Sequence, residues 1–245
     1  RSTLFPYTTL FRSMYSHGIA AIALCESYGM SEDPKLKIPA QRAIDFIVKA
    51  QSKSLGGWRY TPRASSDTSV VGWQMMALKS GQMAGITVPK STFDNVRRWL
   101  KSVEGPRAGS GTFGYSGRGS SPAMTAEGLL CLQFMEAPED TARLQSGANY
   151  LLKHLPKQSS NLTSYYWYYA TQVMYHMQGK YWDAWNDRMR GMLTKTQIKT
   201  GHLAGTWTPH DRWEQRGGRV YSTAMRVLIL EVYYRHLPIF NNGGR

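Results

Sequence analysis

Phe46-Ile-Val-Lys-Ala-Gln51-Ser-Lys-Ser-Leu-Gly56-Gly57-Trp58-Arg59-Tyr60, followed after six intervening residues by Asp67-Thr68-Ser69, is the stretch that decides the fold of this 245-residue chain. An amphipathic run ends in a small-residue turn of the form Gly-x-aromatic, and a Ser/Thr-bearing start then opens a more apolar run. The pattern recurs at Gly111-Thr112-Phe113-Gly114-Tyr115 before Pro122, and at Gly205-Thr206-Trp207-Thr208-Pro209 before Tyr221-Ser222-Thr223. Repetition at about 40 to 55 residues marks an array of helical hairpins, each burying its apolar face against the next.

Working outward from these turns, apolar residues at helical spacing recur over 14–30, 38–51, 68–84, 91–103, 122–135, 141–155, 164–177, 181–194 and 220–237. The first, third, fifth, seventh and ninth segments are nearly apolar all round and rich in Gly and Ala. The even-numbered ones carry a wet face. A helix apolar on every side must be covered on every side, so the odd segments are expected to form an inner ring and the even ones an outer ring. Between the small residues Gly18, Gly72, Gly128, Ala170 and Ala224 the repeats run 54, 56, 42 and 54 residues. Hairpins repeating in one sense place all inner N-termini at one mouth, where a site is expected.

The Gln51 to Trp58 stretch resembles the QW repeat of squalene-hopene and oxidosqualene cyclases, and the alternation resembles the (α/α) toroid shared by terpenoid cyclases and protein prenyltransferase β-subunits. The other two copies keep Gly-x-aromatic and lose the spaced Gln. The fold expected is all-α, an incomplete (α/α) toroid with nine of about twelve helices. The resemblance implies a polyprenyl or triterpenoid ligand, and a buried acid opening an inner helix in a DxDDTA-like segment. The aligned stretch is Ala64-Ser65-Ser66-Asp67-Thr68-Ser69-Val70-Val71. Asp67 and Thr68 match, while Ala64 and Ser66 stand where two acids belong. Candidate catalytic residues are therefore Asp67, with His17 as relay and Glu127 as a remote acid. Asp67 just before a helix also reads as an N-cap.

Candidate pocket walls are Tyr15, Thr68, Trp73, Tyr165, Tyr166, Trp167 and Tyr221, because ring faces at helix starts can hold a cation, a sugar or an apolar ligand; the same rings fill helix junctions equally well, and in the run 165–169 some must be packing. No Asp-x-Cys occurs, and His17 and Cys25 are more than two helical turns apart, so no metal is expected. No cofactor is implied. The alternative reading is a non-catalytic toroid that lacks the acid motif and binds a ligand or protein partner, favoured by the polar loops 107–122 and 208–220.

Thirty Lys and Arg against 16 Asp and Glu give a net charge of +14. The bases are scattered without a reader motif, so nucleic acid is not expected, and a peripheral contact with an anionic membrane is compatible with the charge. Cys25 and Cys131 read as core thiols. Leu4-Phe5-Pro6-Tyr7-Thr8-Thr9-Leu10-Phe11-Arg12-Ser13 resembles one reading frame of a common short-read sequencing adapter. Residues 1–13 are accordingly set aside, 14–240 are read as a toroid fragment and 241–245 as a tail, with the natural N-terminus, and hence the compartment, unknown.

Overall fold

The computed structural model describes residues 13–157 and 163–234; most of the segment assigned to the adapter, and the tail, lie outside them. Among the described residues the chain is all-α: α1 (Met14–Ser31), α2 (Pro34–Ala50), α3 (Thr68–Met83), α4 (Lys90–Val103), α5 (Pro122–Met135), α6 (Thr141–Leu152), α7 (Ser164–Met177), α8 (Gly179–Thr196) and α9 (Arg212–Leu230). A 3₁₀ turn, Pro138–Asp140, precedes α6, and an antiparallel bridge joins Glu104 to Phe113. The helices form consecutive hairpins of the α/α toroid class.

Local chemistry sets the helix ends. Ser13, Asp33, Asp67, Thr163 and Asp211 each accept a first-turn N–H at the starts of α1, α2, α3, α7 and α9. The second segment begins four residues earlier than its periodicity implies, because Pro34 sits at the first helical position, where its missing N–H costs nothing. The last segment begins at Arg212, inside the stretch expected as a polar loop. It contains a bend at Gly218 (φ 73°, ψ −171°), a conformation essentially restricted to glycine.

Tertiary contacts divide the chain into two compact units. Unit 1 comprises α1 to α4, with the 113–119 loop and 134–136. There α1 packs against α2 and α3. It runs parallel to α3: Tyr15 meets Ser69, Gly18 lies against Gln74, and Ser80 donates to Glu26. Gln74 Nε2 donates to the Met14 carbonyl at 2.9 Å.

Unit 2 comprises α5 up to Gln133 and α6 to α9, with 109–112. There α7 is the hub, packing against α6, α8 and α9. Trp185 Nε1 donates to Thr171 Oγ1 at 2.9 Å, with the Tyr166 ring edge-on to Trp185. Asp140 is fully buried and paired with Arg143.

The odd-numbered segments meet the burial expectation unequally. In α3 the whole run Thr68–Leu78 is buried, and most of α5 and α7 likewise. In α1, Ile19 and Met30 are exposed, and in α9, Val220 and Val227 are exposed. Both cysteines are buried in the core, and burial raises their thiol pKa values, that of Cys25 to about 11. Among the described residues no helix is long and apolar enough to cross a membrane.

Candidate functional site

The Gln-to-Trp turn is a built device. Gln51 Nε2 donates to the carbonyls of Gly56 (2.9 Å) and Thr92 (3.0 Å), and its Oε1 accepts from Asn95 Nδ2 (3.0 Å). One side chain thus ties the end of α2 to its own loop and to the start of α4. Trp58, almost fully buried, donates from Nε1 to the Ile47 carbonyl at 2.8 Å. The third copy has the same wiring, which corrects the expectation that it had lost its Gln: Gln197 Nε2 donates to the Gly205 carbonyl (3.0 Å) and Trp207 Nε1 to the Leu193 carbonyl (3.0 Å). A loop longer by three residues moves Gln197 out of register with Gln51 in the sequence.

This turn delivers Asp67 to the start of α3. Asp67 Oδ1 accepts from the Val70 N–H (2.9 Å) and Ser69 Oγ (2.7 Å), and Oδ2 lies 3.5 Å from Arg59 Nε. The Asp67 side chain is fully buried while that of Arg59 is 41% exposed. The Ser69 hydroxyl also meets the Tyr15 hydroxyl. Thr68 pins the neighbouring loop: its N–H donates to the Tyr115 carbonyl (2.8 Å) and its Oγ1 to the Gly114 carbonyl (2.7 Å). That loop is tight, for a Cβ on Gly114 would stand 2.1 Å from the Gly117 carbonyl oxygen.

Pinning sets Tyr115 beside Tyr60, hydroxyls 2.9 Å apart, with both side chains exposed. Tyr15 adds a third ring, 5.9 Å from Tyr60 between centroids, and Arg59 lies over the Tyr60 face. Burial, the Tyr60 hydroxyl and the Asp67 carboxylate hold the Tyr115 phenol's pKa far above its ordinary value, so it stays a neutral donor. The product is an aromatic shelf backed by one carboxylate and one guanidinium.

Of the sequence candidates, Tyr15, Thr68 and Asp67 come together here. Trp73 is core of α3. His17 Nε2 is 2.9 Å from the Ala43 carbonyl and its ring lies against Phe46 at 4.5 Å, so the contacts that hold it are to α2. Sequence reasoning passed over Arg59, Tyr60 and Tyr115 as site residues. The signal was present: two of the three repeats continue Gly-x-aromatic-x-Tyr, and the third has Pro209 instead.

In unit 2, Tyr166 is buried and donates to the His154 carbonyl (3.0 Å), Tyr165 packs on Tyr169, and Trp167 is buried beneath the Arg226 guanidinium. Glu127 is fully buried in α5, one turn before Cys131. Burial and the charges of Asp211 and Glu214 push the Tyr221 phenol up to about 12. Its neighbour Glu214 is buried: Oε2 accepts from the His210 N–H (2.7 Å), Ser222 Oγ (2.9 Å) and Arg226 Nη2 (3.1 Å), and Oε1 lies 3.0 Å from Arg226 Nη1. Burial opposes its ionisation. The hydrogen bonds from Ser164, Arg226 and His210, with the Arg226 charge, outweigh burial and lower its pKa. This clasp joins the helix before Gly218 to the helix after it. Among the described residues no group of three or more His, Cys, Asp or Glu could hold a metal.

No family model and no curated protein sequence matches this chain. Its fold is similar to that of an inactive variant of the α-1,6-mannanase GH76A of Salegentibacter sp. HEL1_6, solved in complex with α-1,6-mannotriose, with a TM-score of 0.61 and 11% identity over 90% of this chain and 75% of that one. The likeness carries the fold alone. It also overturns the expected polyprenyl or triterpenoid ligand and the cyclase and prenyltransferase labels, because the same helical architecture houses a mannanase and so does not single out terpenoid chemistry. The mannanase was inactivated by changing two consecutive aspartates to asparagine. No two consecutive aspartates occur in this sequence.

Proposed function

We propose that this chain is a ligand-binding α/α domain whose site is the shelf of Tyr15, Tyr60 and Tyr115 in unit 1, and that its ligand is an oligosaccharide held without being cleaved. The observation that carries this reading is the exposed Tyr60–Tyr115 pair, hydroxyl to hydroxyl, beside the anchored Asp67 and Arg59. A pyranose has an apolar C–H face and a rim of hydroxyls. An aromatic shelf with donors and acceptors at its edge complements both. The mannotriose bound by the mannanase of similar fold supports the ligand class.

Binding without hydrolysis follows from the carboxylates. Glycoside hydrolysis ordinarily needs two, about 5 to 9.5 Å apart, one donating a proton and one acting as base or nucleophile. The hydrogen-bonded cluster around the shelf contains one, Asp67, already committed to the first turn of α3. The Gln51–Trp58 turn supports a kinship of scaffold with cyclase and prenyltransferase toroids, not of chemistry.

The test is an equilibrium binding assay against neutral and acidic trisaccharides, run beside a reducing-end assay on the same solutions. Saturable binding with no new reducing ends is expected. Release of reducing ends, whether or not it survives Asp67→Asn, or no binding of any glycan, contradicts the proposal.

A further inference from the structure

Charge is distributed unevenly over unit 1. Its helices and their short connections carry nine Lys and Arg and six Asp and Glu among the described residues, the six acids all at least partly exposed. The two loops that build the shelf differ. Over 51–67, 104–108 and 113–119 there are five bases, Lys53, Arg59, Arg63, Arg107 and Arg118, none of them buried. The same segments hold two acids, Asp67 and Glu104, at 0% and 3% exposure. All the charge that these loops present to solvent is therefore positive, and it belongs to the same loops that carry the two exposed tyrosines.

We infer that the ligand of this site is an anionic glycan, an oligosaccharide carrying carboxylates such as a uronic-acid trimer, in preference to a neutral one. This rests on the reading of the shelf as a sugar-binding site. Arg59 is already aimed, held by Ser65 Oγ at 3.1 Å and Asp67 Oδ2 at 3.5 Å, with its guanidinium over the Tyr60 ring. Arg63 is fixed at Nε by the Lys49 carbonyl at 3.0 Å. Arg118 follows Tyr115 by three residues in the loop closed at Gly114. A planar guanidinium pairs with a carboxylate through two parallel N–H donors, while the ring faces take the sugar's C–H face. Cations gathered on the same pair of loops also concentrate anions by their summed field.

The inference separates from the parent reading in one titration series. The full chain is titrated by calorimetry with trigalacturonate, with α-1,6-mannotriose and with acetate, from about 0.01 to 1 M ionic strength, over which the screening length falls from roughly 30 to 3 Å. The series is repeated with Arg63→Gln/Arg118→Gln and with Tyr60→Ala/Tyr115→Ala, circular dichroism confirming that each variant keeps its helices. Expected is trigalacturonate binding about tenfold or more tighter than mannotriose at low salt, a gap that closes at high salt, because exposed ion pairs are screened, and narrows severalfold in the arginine variant, which keeps Arg59. Equal, salt-independent binding of both trisaccharides overturns the inference and leaves the sugar site standing. Acetate binding as tightly as trigalacturonate, or trigalacturonate binding that survives loss of both tyrosines, reduces the patch to an unspecific cationic surface and overturns the inference. Failure of every glycan to bind overturns both.

Discussion

At the scale of single residues, Asp67 and Gln51 separate the architectural from the chemical reading. Asp67→Ala removes a helix cap and should cost about 1–2 kcal/mol in urea denaturation, whereas Asp67→Asn keeps an acceptor for the Val70 N–H and should stay within about 0.5 kcal/mol of the parent. A large loss in Asp67→Asn would mean that its charge matters beyond the cap. Gln51→Ala leaves buried partners on α2's loop and α4 without their bonds and should cost about 1–3 kcal/mol. Trp58→Ala empties a fully packed site and should cost about 3–5 kcal/mol.

At the scale of elements, the turns repeat in backbone as well as in sequence. Gly56, Gly111 and Gly205 share a positive φ, at 86°, 67° and 85°. Their surroundings differ: a Cβ on Gly56 would meet the Asn95 carbonyl at 2.3 Å, and one on Gly205 nothing within 4 Å. Gly205→Ala therefore pays only the backbone penalty of about 1–2 kcal/mol, and Gly56→Ala should lower the melting temperature further. Equal losses would contradict the close packing of the first turn on α4. The Glu214–Arg226 clasp gives the second test. Its lowered pKa adds stability that is present above the ordinary glutamate value near 4.3 and drains away as pH falls through the folded-state value. Melting temperature against pH should fall in that acid window, and Glu214→Gln should flatten the fall while costing about 3–5 kcal/mol at neutral pH by leaving Arg226 unpaired. Much of this was legible beforehand: apolar periodicity located the nine helices found among the described residues, and the Gly-x-aromatic turns placed the start of α3. The beginning of α9 was missed because Arg212 to Gly217 is polar, and its helix is held by the Asp211 cap and by Glu214 reaching forward to Arg226, a contact without sequence period.

At the scale of the whole molecule, local signals do not rank one partner over another. The α/α fold was readable because every hairpin repeats the demand to cover an apolar helix, but the ligand depends on which side chains the turns bring together. Tyr60 and Tyr115 are 55 residues apart and meet only because Thr68 pins the second loop to the first. The terpenoid expectation came from the shared scaffold, and a mannanase of like fold shows how little a scaffold says about chemistry. The central claim is that the tyrosine shelf binds glycans. The most direct measurement is calorimetric titration of the chain with neutral and acidic trisaccharides, before and after Tyr60→Ala/Tyr115→Ala. The account predicts saturable binding by the parent and at least about tenfold weaker binding, roughly 1.4 kcal/mol, by the variant at unchanged helicity. Unchanged affinity in the variant, or no heat of binding with any glycan in the parent, would contradict it.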